Sequence, residues 1–356
     1  DDAAPPRRYA ELVGAKMESI PLTEWKPEPL LASCHACDGT PPQLAFTHAL
    51  DDAANAEAAC SALELRTTDF LKLAAAAEPR VAAEAALNKY GCGTCGPRGF
   101  YGTLDVHLEL ENKLADFLGT EQAIVYSFGI ATISSVVPAF VRKGDVLFVD
   151  TGLHFCGAVG TRLSRGSVHH FAHNDMRALE RALDVQNRAE KDVPAQKRKR
   201  RFVLVEGLYA NSGDLCPLPA LLRLRDAYGF YIILDDTFGF GSLGPTGRGT
   251  PEHFGVAPRD VDVLVGSLEH ALGSVGGFCA GSSPIVSHQR LSGTGYCFSA
   301  SLPAYATCAA ITGLQMLQAQ PARLTRLSAA SAVMNGALRD AIGAIPHVEV
   351  VGEKAS

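Results

Sequence analysis

A long stretch in the second half of the chain contains acids, histidines and hydroxyls but no primary amine. Lysine is absent between Lys199 and Lys354. No side chain other than lysine can hold a carbonyl compound as a Schiff base, so this chemistry is missing from the stretch. The absence matters most in a glycine-rich segment that runs from Glu269 to Phe278 and contains His270. Only 10 of the 32 basic residues are lysines, so the neighbouring motifs must give the absence its meaning.

A second motif combines reactive and charged side chains with five glycines. It is the segment KYGCGTCGPRGFYGT, residues 89–103, and its candidate functional residues are Cys95, Arg98 and Tyr101. Glycine permits unusual backbone angles and the close approach of another chain or a ligand. A simple turn does not need so many glycines, so the segment is predicted to meet a ligand or a partner chain.

Further candidate residues follow apolar runs of the sequence. Asp235 and Thr237 come after the run at 231–234, and His154 comes after the run at 146–149. Ligands bind beyond the carboxyl ends of parallel strands, so these residues are candidates for a binding site. The alternatives are that Asp235 is a helix N-cap and that His154 is an ordinary loop histidine.

The elements that must position these residues are buried strands alternating with helices. Apolar runs typical of buried strands lie at 123–126, 146–149, 202–205, 231–234 and 263–265, and helices are predicted over 53–77, 104–117 and 304–318. This alternation predicts a three-layer α/β/α sandwich around a mostly parallel sheet. We expect an N-terminal segment (1–84), a large domain (85–305) and the start of a smaller, truncated α/β C-terminal domain (306–356).

Two stretches leave a membrane-related alternative open. Residues 123–141 carry no charge and nearly reach the length of a membrane span, but Pro138 and several serines favour a buried strand, turn and helix. Residues 187–201 end in five consecutive basic side chains. They are predicted to form a solvated surface loop, with attraction to an anionic membrane surface as the alternative.

Composition sets wide limits on function. With 47% hydrophobic residues, 20% charged residues and a net charge of −6, the chain is an ordinary globular protein with no reason to bind nucleic acid. The pairs Cys34/Cys37 and Cys92/Cys95 have a spacing found in zinc sites. Free cysteines in a reducing compartment are the favoured interpretation, and no metal site is predicted.

Several motifs together resemble one enzyme family. The segment GTCGPRGFYGT followed by DVHLELE is similar to the α-oxoamine synthases, and the similarity extends in collinear order over about residues 20–356. Further matching segments are FAHNDM (171–176), VEGLY (205–209), CPLP (216–219) and HQRLSGTGYCFSASLP (288–303). The resemblance implies the fold-type I α/β architecture of pyridoxal-phosphate (PLP) enzymes. It also implies an activity that condenses an amino acid with an acyl-CoA and releases CO₂.

The resemblance assigns cofactor positions one by one. The segment EHALGSVGGF matches the family pattern T-K-S-x-G-x-x-G-G-Y and places His270 where the PLP lysine stands. The segment DDTFG matches D-E-A-H-S, so Asp235 stands where an aspartate pairs with the pyridinium nitrogen, and Phe238 replaces a histidine. His154 stands where a histidine stacks on the cofactor ring. His154, Asp235, Thr237 and His270 are therefore implied to be a vestigial cofactor-binding set.

This pattern of kept and lost residues implies a non-catalytic subunit. Its partner would be a lysine-bearing homologue that holds PLP covalently, while no covalent PLP is expected on this chain. Active sites of the family lie at the dimer interface, so Cys95, Arg98 and Tyr101 are implied to line the partner's active site. Two alternatives stay open: a regulatory scaffold with no part in the active site, and an autonomous homodimeric α-oxoamine synthase.

The wording of the motifs also implies a substrate class and a location. It is closest to that of subunits whose enzymes join L-serine to a long-chain acyl-CoA such as palmitoyl-CoA. The products are 3-ketosphinganine, CO₂ and CoA, in the first step of sphingolipid synthesis. The implied location is the endoplasmic reticulum membrane, with the catalytic domain facing the cytosol and a membrane-associated segment preceding Asp1.

Overall fold

The computed structural model describes residues 31–35, 43–47, 68–342, 350 and 352. The chain divides into two units between Thr67 and Thr68. In the first unit, strand β1 (Leu31–His35) pairs antiparallel with strand β2 (Gln43–Thr47). The sheet, the helices and the candidate site described below all belong to the second unit.

Seven strands of the second unit form one mixed sheet in the order β3-β9-β8-β7-β6-β4-β5. Their bounds are β3 (Gln122–Tyr126), β4 (Val146–Asp150), β5 (Ser167–Phe171), β6 (Arg201–Glu206), β7 (Tyr231–Asp235), β8 (Val263–Ser267) and β9 (Gly277–Gly281). Strands β4 to β8 pair in parallel, and β9 runs antiparallel to both β3 and β8. The predicted mostly parallel sheet and all five predicted strands are confirmed.

Helices cover the sheet and fill the connections between its strands. They are α1 (Ala77–Tyr90), α2 (Asp105–Leu118), α3 (Gly129–Phe140), α4 (Phe155–Leu163), α5 (Met176–Ala189), α6 (Leu218–Tyr228), α7 (Thr250–His253), α8 (Ser283–Ser292), α9 (Thr294–Cys297), α10 (Ala304–Ala319) and α11 (Ala322–Ile342). The predicted helices over 104–117 and 304–318 are confirmed as α2 and α10.

The predicted helix over 53–77 is wrong in its last part. Residues 68–76 form turns, and the helix begins only at Ala77. The Asp69 carboxylate accepts hydrogen bonds from the backbone N–H groups of Leu73 (2.9 Å) and Ala74 (3.1 Å). These bonds turn the chain, and they bury Leu73 completely. Residues 53–67 lie outside the described part of the chain.

Each central strand is buried on both faces because its side chains alternate between two hydrophobic cores. On β6, Val203 and Val205 join the core that contains α2, α6 and α10. Phe202 and Leu204 point the other way and join the core that contains α3. Successive side chains of a strand point to opposite faces, so continuous apolar runs produce the three-layer sandwich that the sequence predicts.

The uncharged stretch at 123–141 is a strand, a turn and a helix, as predicted. It consists of β3 and α3. The side chains of β3 contribute to both hydrophobic cores, and those of α3 contribute to the second core. Within residues 68–342, no helix is both long and apolar enough to cross a membrane.

The basic run before β6 is partly anchored in the fold. Arg200 pairs with Asp145 (2.7 Å), and the buried Arg201 pairs with Glu190 (2.7 Å). Residues 197–199 stay exposed. Arg198 Nε also donates to the Val193 carbonyl (3.1 Å). Attraction of the exposed basic residues to a membrane stays a prediction.

The compact second unit begins at Thr68, whereas the sequence suggests a boundary at 84/85. Helix α1 packs against α10, which ties residues on both sides of that boundary together. Helix α10 belongs to the core of the same unit through Ala310 and Leu314. Residues 306–342 of the predicted small domain are described as most of α10 and as α11, and beyond α11 only residues 350 and 352 are described.

Candidate functional site

A cavity of about 420 Å³ lies beyond the carboxyl ends of the central strands. Four predicted site residues, His154, Asp235, Thr237 and His270, are part of its wall. Asp235 is the last residue of β7, and the other three follow β4, β7 and β8, which are neighbours or near neighbours in the sheet. The sheet thus brings together side chains that are more than 100 positions apart in the sequence, at the edge where ligands bind in such folds.

His270 is held by aromatic packing and one hydrogen bond. Its ring stacks on Phe238 with centroids 4.4 Å apart and an interplanar angle of 18°. The ring of Phe70 lies 6.4 Å away, and Thr68 Oγ1 is 2.6 Å from His270 Nδ1. Burial lowers the pKa of His270, so the imidazole is neutral near pH 7.

Asp235 is a buried carboxylate at the end of β7. One of its oxygens, Oδ1, accepts hydrogen bonds from the Thr237 hydroxyl (2.6 Å) and the Thr237 backbone N–H (3.1 Å). Burial raises the pKa of Asp235, although the two bonds from Thr237 oppose the shift. Thr237 therefore orients this carboxylate and stabilises its ionised form.

Glu206 is a cavity residue that the sequence did not single out. It ends β6 directly opposite Asp235 of β7. Its Oε1 accepts a hydrogen bond from the backbone N–H of His154, and its Oε2 accepts one from Ala210 (3.0 Å). Burial, followed by the charge of Asp235, raises the pKa of Glu206 to about 7. Its position at the end of an apolar run was the available signal.

The residues of this cavity do not fit PLP as a covalently held cofactor. Among the described residues that line the cavity, none is a lysine. The position of the predicted lysine is filled by a neutral imidazole packed against a phenyl ring. The wall can present carboxylates and aromatic rings to a ligand, but it has no amine to form a Schiff base.

The glycine-rich segment presents two of its three predicted residues to the outside. Cys95 is exposed and has a left-handed backbone with φ 57°. Tyr101 is 95% exposed, and its neighbour Phe100 is 74% exposed. Arg98, in contrast, is buried and forms a bidentate pair with Glu111 (2.7 and 3.0 Å). Its guanidinium serves the fold of this chain, so Cys95 and Tyr101 are the residues free to contact a partner.

Close backbone contacts fasten the glycine-rich segment to residues 301–302. The backbone N–H of Ser301 donates to the Gly96 carbonyl (2.9 Å), and the Thr94 hydroxyl donates to the Ser301 carbonyl (3.0 Å). The buried His107 accepts from the Leu104 N–H (2.9 Å) and donates through Nε2 to the Leu302 carbonyl (2.6 Å). The exposed residues of the segment therefore project from a fixed base.

The cysteine pair within the described residues, Cys92/Cys95, is not part of a metal-binding cluster. Cys92 and Cys95 are both free and exposed. Between residues 68 and 342, no group of three or more potential ligands is placed to hold a metal ion. The Cys34/Cys37 pair cannot be judged, because Cys37 lies outside the described residues.

A family model and several curated proteins match the chain. The model described as aminotransferase class I and II matches residues 62–355. Long chain base biosynthesis protein 1c of Oryza sativa subsp. japonica is 44% identical over 264 residues, which are 74% of this chain and 53% of the rice protein. Serine palmitoyltransferase 1 of Dictyostelium discoideum is 45% identical over 266 residues, 74% of this chain and 55% of that protein. The chain spans about half the length of these relatives.

Solved structures with the same fold include serine palmitoyltransferases. The protein in a high-resolution structure of SPT with PLP is 29% identical to this chain, with a TM-score of 0.71. The match covers 77% of this chain and 66% of the SPT chain. The Sphingomonas wittichii serine palmitoyltransferase is 31% identical, with a TM-score of 0.71 and the same coverage. These matches confirm the predicted fold class and the resemblance found in the motifs.

Proposed function

Since this chain belongs to the aminotransferase class I and II family, we propose that it is the non-catalytic subunit of a heterodimeric serine palmitoyltransferase. The complex would condense L-serine with a long-chain acyl-CoA such as palmitoyl-CoA and form 3-ketosphinganine, CO₂ and CoA. The observation that carries the proposal is that His270, which has no amine, lines a cavity of the PLP-enzyme fold and packs on Phe238. Relatives named serine palmitoyltransferase 1 support the substrate class.

The partner in this proposal is a homologous long-chain base subunit that keeps the lysine and holds PLP on it. PLP supplies an electron sink for bonds at the amino-acid α-carbon. This chain contributes a wall of the shared site through Cys95 and Tyr101, which project from the fastened glycine-rich segment. Cys95 and Tyr101 would act by shaping the substrate pocket and would not transfer protons.

The exposed apolar surface supports an obligate partner. Phe100, Tyr101 and Phe298 are 74%, 95% and 83% exposed, and Phe298 lies three residues before Ser301, which bonds to the glycine-rich segment. Large exposed apolar patches mark interaction sites, and obligate interfaces are extensive and apolar. A second chain that covers these rings would remove them from water.

We place the complex at the endoplasmic reticulum membrane, with this fold on the cytosolic side. The long-chain acyl-CoA substrate is itself amphipathic, which supports a site near a bilayer. The exposed basic residues 197–199 could add attraction to anionic lipid, at about 1 kcal/mol for each basic residue close to the surface.

Co-purification from cells tests the proposal. We expect a lysine-bearing homologue in equal amount, and we expect the chain expressed alone to aggregate or to form an inactive dimer. A soluble chain with synthase activity and no homologous partner would favour the autonomous enzyme. A stable complex whose activity ignores every change at Cys95 and Tyr101 would favour the regulatory scaffold.

A further inference from the structure

Two helices begin at the wall of the cavity. Helix α3 begins at Gly129 and helix α4 at Phe155, and the cavity is lined by Gly129 and Ile130 of the first and Cys156 of the second. The start of a helix has unpaired N–H groups and a partial positive charge, so it attracts phosphate. A phosphorylated ligand in this cavity would be stabilised most at one of these two helix starts.

Glu269 covers the start of α3. A β-carbon placed on Gly129 would lie 3.0 Å from each of the two carboxylate oxygens of Glu269. The backbone N–H of Glu269 donates to the Ser267 hydroxyl (3.0 Å), which holds this residue in the turn after β8. The carboxylate therefore lies against the first residue of the helix, where the helix dipole favours a negative charge.

Glu206 lies at the start of α4, where it is held by a backbone hydrogen bond. His154 is the N-cap residue of this helix, and its backbone N–H donates to Glu206 Oε1. The other oxygen accepts from the backbone of Ala210. A carboxyl group of the chain thus already lies at each of the two helix starts at the cavity.

The described side chains that line the cavity include no lysine or arginine to compensate the charge of a phosphate. Asp235 is a third carboxyl group in the wall, and the only basic residues among the described lining are His154 and His270. The imidazole of His270 is neutral near pH 7. A phosphate dianion would meet like charges at short range in a partly desolvated space, where their repulsion is strong.

We propose that Glu269 is a built-in substitute for phosphate. Its carboxylate occupies the anion position at the start of α3 and, with Glu206 at α4, closes this cavity to PLP and to other phosphorylated ligands. The inference goes beyond the missing amine, because restoring a lysine would then not restore cofactor binding. It concerns this chain's own cavity and holds whether or not the proposed subunit function is correct.

The test compares two aldehydes that differ only in the phosphate. The full-length chain, in complex with whatever partner co-purifies, is prepared as H270K and as H270K/E269Q. Each complex is incubated with PLP or with pyridoxal and reduced with borohydride, and the label at position 270 is quantified by peptide mapping. Pyridoxal shares the ring and the aldehyde with PLP, so the ratio of the two labels isolates the effect of the phosphate.

We expect E269Q to raise the PLP-to-pyridoxal ratio at least about tenfold, which corresponds to about 1.4 kcal/mol. The matched control is H270K/E121Q. Glu121 accepts from the Ser283 backbone N–H (2.8 Å) at the start of α8 but is not among the residues that line the cavity. This control should keep the ratio of H270K. An equal ratio in H270K and H270K/E269Q would overturn the proposal.

Reversible binding provides a second measurement that needs no new lysine. After the partner's PLP has been fixed by borohydride, equilibrium dialysis gives the Kd of further PLP for the wild-type and E269Q complexes. We expect E269Q to bind PLP at least about tenfold more tightly, or about 1.4 kcal/mol. Equal affinities, or tight binding by this chain in the wild-type complex, would contradict the role of Glu269.

Discussion

At position 270, the side chain is part of the packing of the cavity wall. His270 stacks on Phe238 and is within hydrogen-bond distance of Thr68, so its imidazole fills space that a flexible lysine would leave for a cofactor. The neighbouring Glu269 and the buried Glu206 place carboxyl groups at the two helix starts. The cavity therefore differs from a PLP site in packing and in charge as well as in the missing amine.

Cys95→Trp tests whether the glycine-rich segment reaches the partner's pocket. Cys95 is exposed among glycines, and an indole at that position would project from the fastened segment into whatever faces it. We expect altered amino-acid selection or turnover in an assembled complex, measured by product analysis with serine and alanine as competing substrates. Cys92→Trp, at another exposed cysteine three residues away, is the matched control. Wild-type rates and selectivity in assembled C95W would argue against an active-site role.

Glu206 makes stability depend on pH in a direction that can be worked out. Its pKa is raised from 4.5 to about 7 in the folded chain, with burial as the main cause. The folded state therefore binds more protons than the unfolded state between these values, so stability falls as pH rises from about 4.5 to about 7. A shift of that size corresponds to about 3 kcal/mol.

Glu206→Gln removes this titration while leaving an oxygen that can accept a hydrogen bond. We expect the Tm of the wild-type complex to drop between pH 5.5 and pH 8 by more than the Tm of the E206Q complex. Glu121→Gln, at a residue that is not among those lining the cavity, should follow the wild type. If E206Q and wild type lose equal Tm over this range, the buried carboxyl group does not titrate as inferred.

At the scale of elements, the base of the glycine-rich segment decides where Cys95 and Tyr101 project. A β-carbon at Gly102 would collide with the Gly96 carbonyl and the Ser301 hydroxyl, whereas one at Gly99 would meet nothing within 4 Å. The close approach of Gly102 and Gly96 thus requires glycine at position 102. The sequence showed that glycines are dense here but not which of them is needed.

Gly102→Ala should therefore displace the segment. Overpacking of this kind costs about 1–3 kcal/mol, and we expect a lower yield of assembled complex and a lower rate of product formation. Gly99→Ala is the matched control and should behave like the wild type in both respects. Assembly and turnover by G102A equal to those of G99A would show that the segment does not depend on this contact.

Five strands of the sheet could be predicted from the sequence, whereas β5 and β9 could not. The five apolar runs became strands because burial on both faces requires continuous apolar sequence. Strand β5 was not predicted, since it lies at the sheet edge with exposed residues such as His169 and His170. Strand β9 begins and ends with glycine, which weakens any strand pattern.

At the scale of the whole molecule, the sheet determined what could be predicted of the site. Asp235, His154 and His270 lie at or just after the carboxyl ends of strands of one sheet, so their meeting in one cavity follows from the topology. The contacts of Glu269 with α3 and of Arg98 with Glu111 depend on how side chains pack between distant segments. Those contacts could not be predicted from the spacing of residues in the sequence.

The molecule combines a cavity that cannot hold PLP covalently with exposed aromatic rings, Phe100 and Tyr101, on the glycine-rich segment, which is hydrogen-bonded to Ser301. Within the described part of the chain, the cavity is lined by no lysine, whereas Phe100 and Tyr101 are exposed on the glycine-rich segment. This arrangement suits a subunit that shapes a site whose cofactor belongs to another chain. The central claim is therefore about which chain carries the cofactor.

Borohydride reduction of the wild-type complex, followed by peptide mapping of both chains, tests that claim most directly. Reduction converts a Schiff base into a stable adduct and fixes the cofactor to the residue that held it. The account predicts a PLP adduct on a lysine of the partner and none on this chain. A PLP adduct on any residue of this chain in the wild-type complex would contradict it.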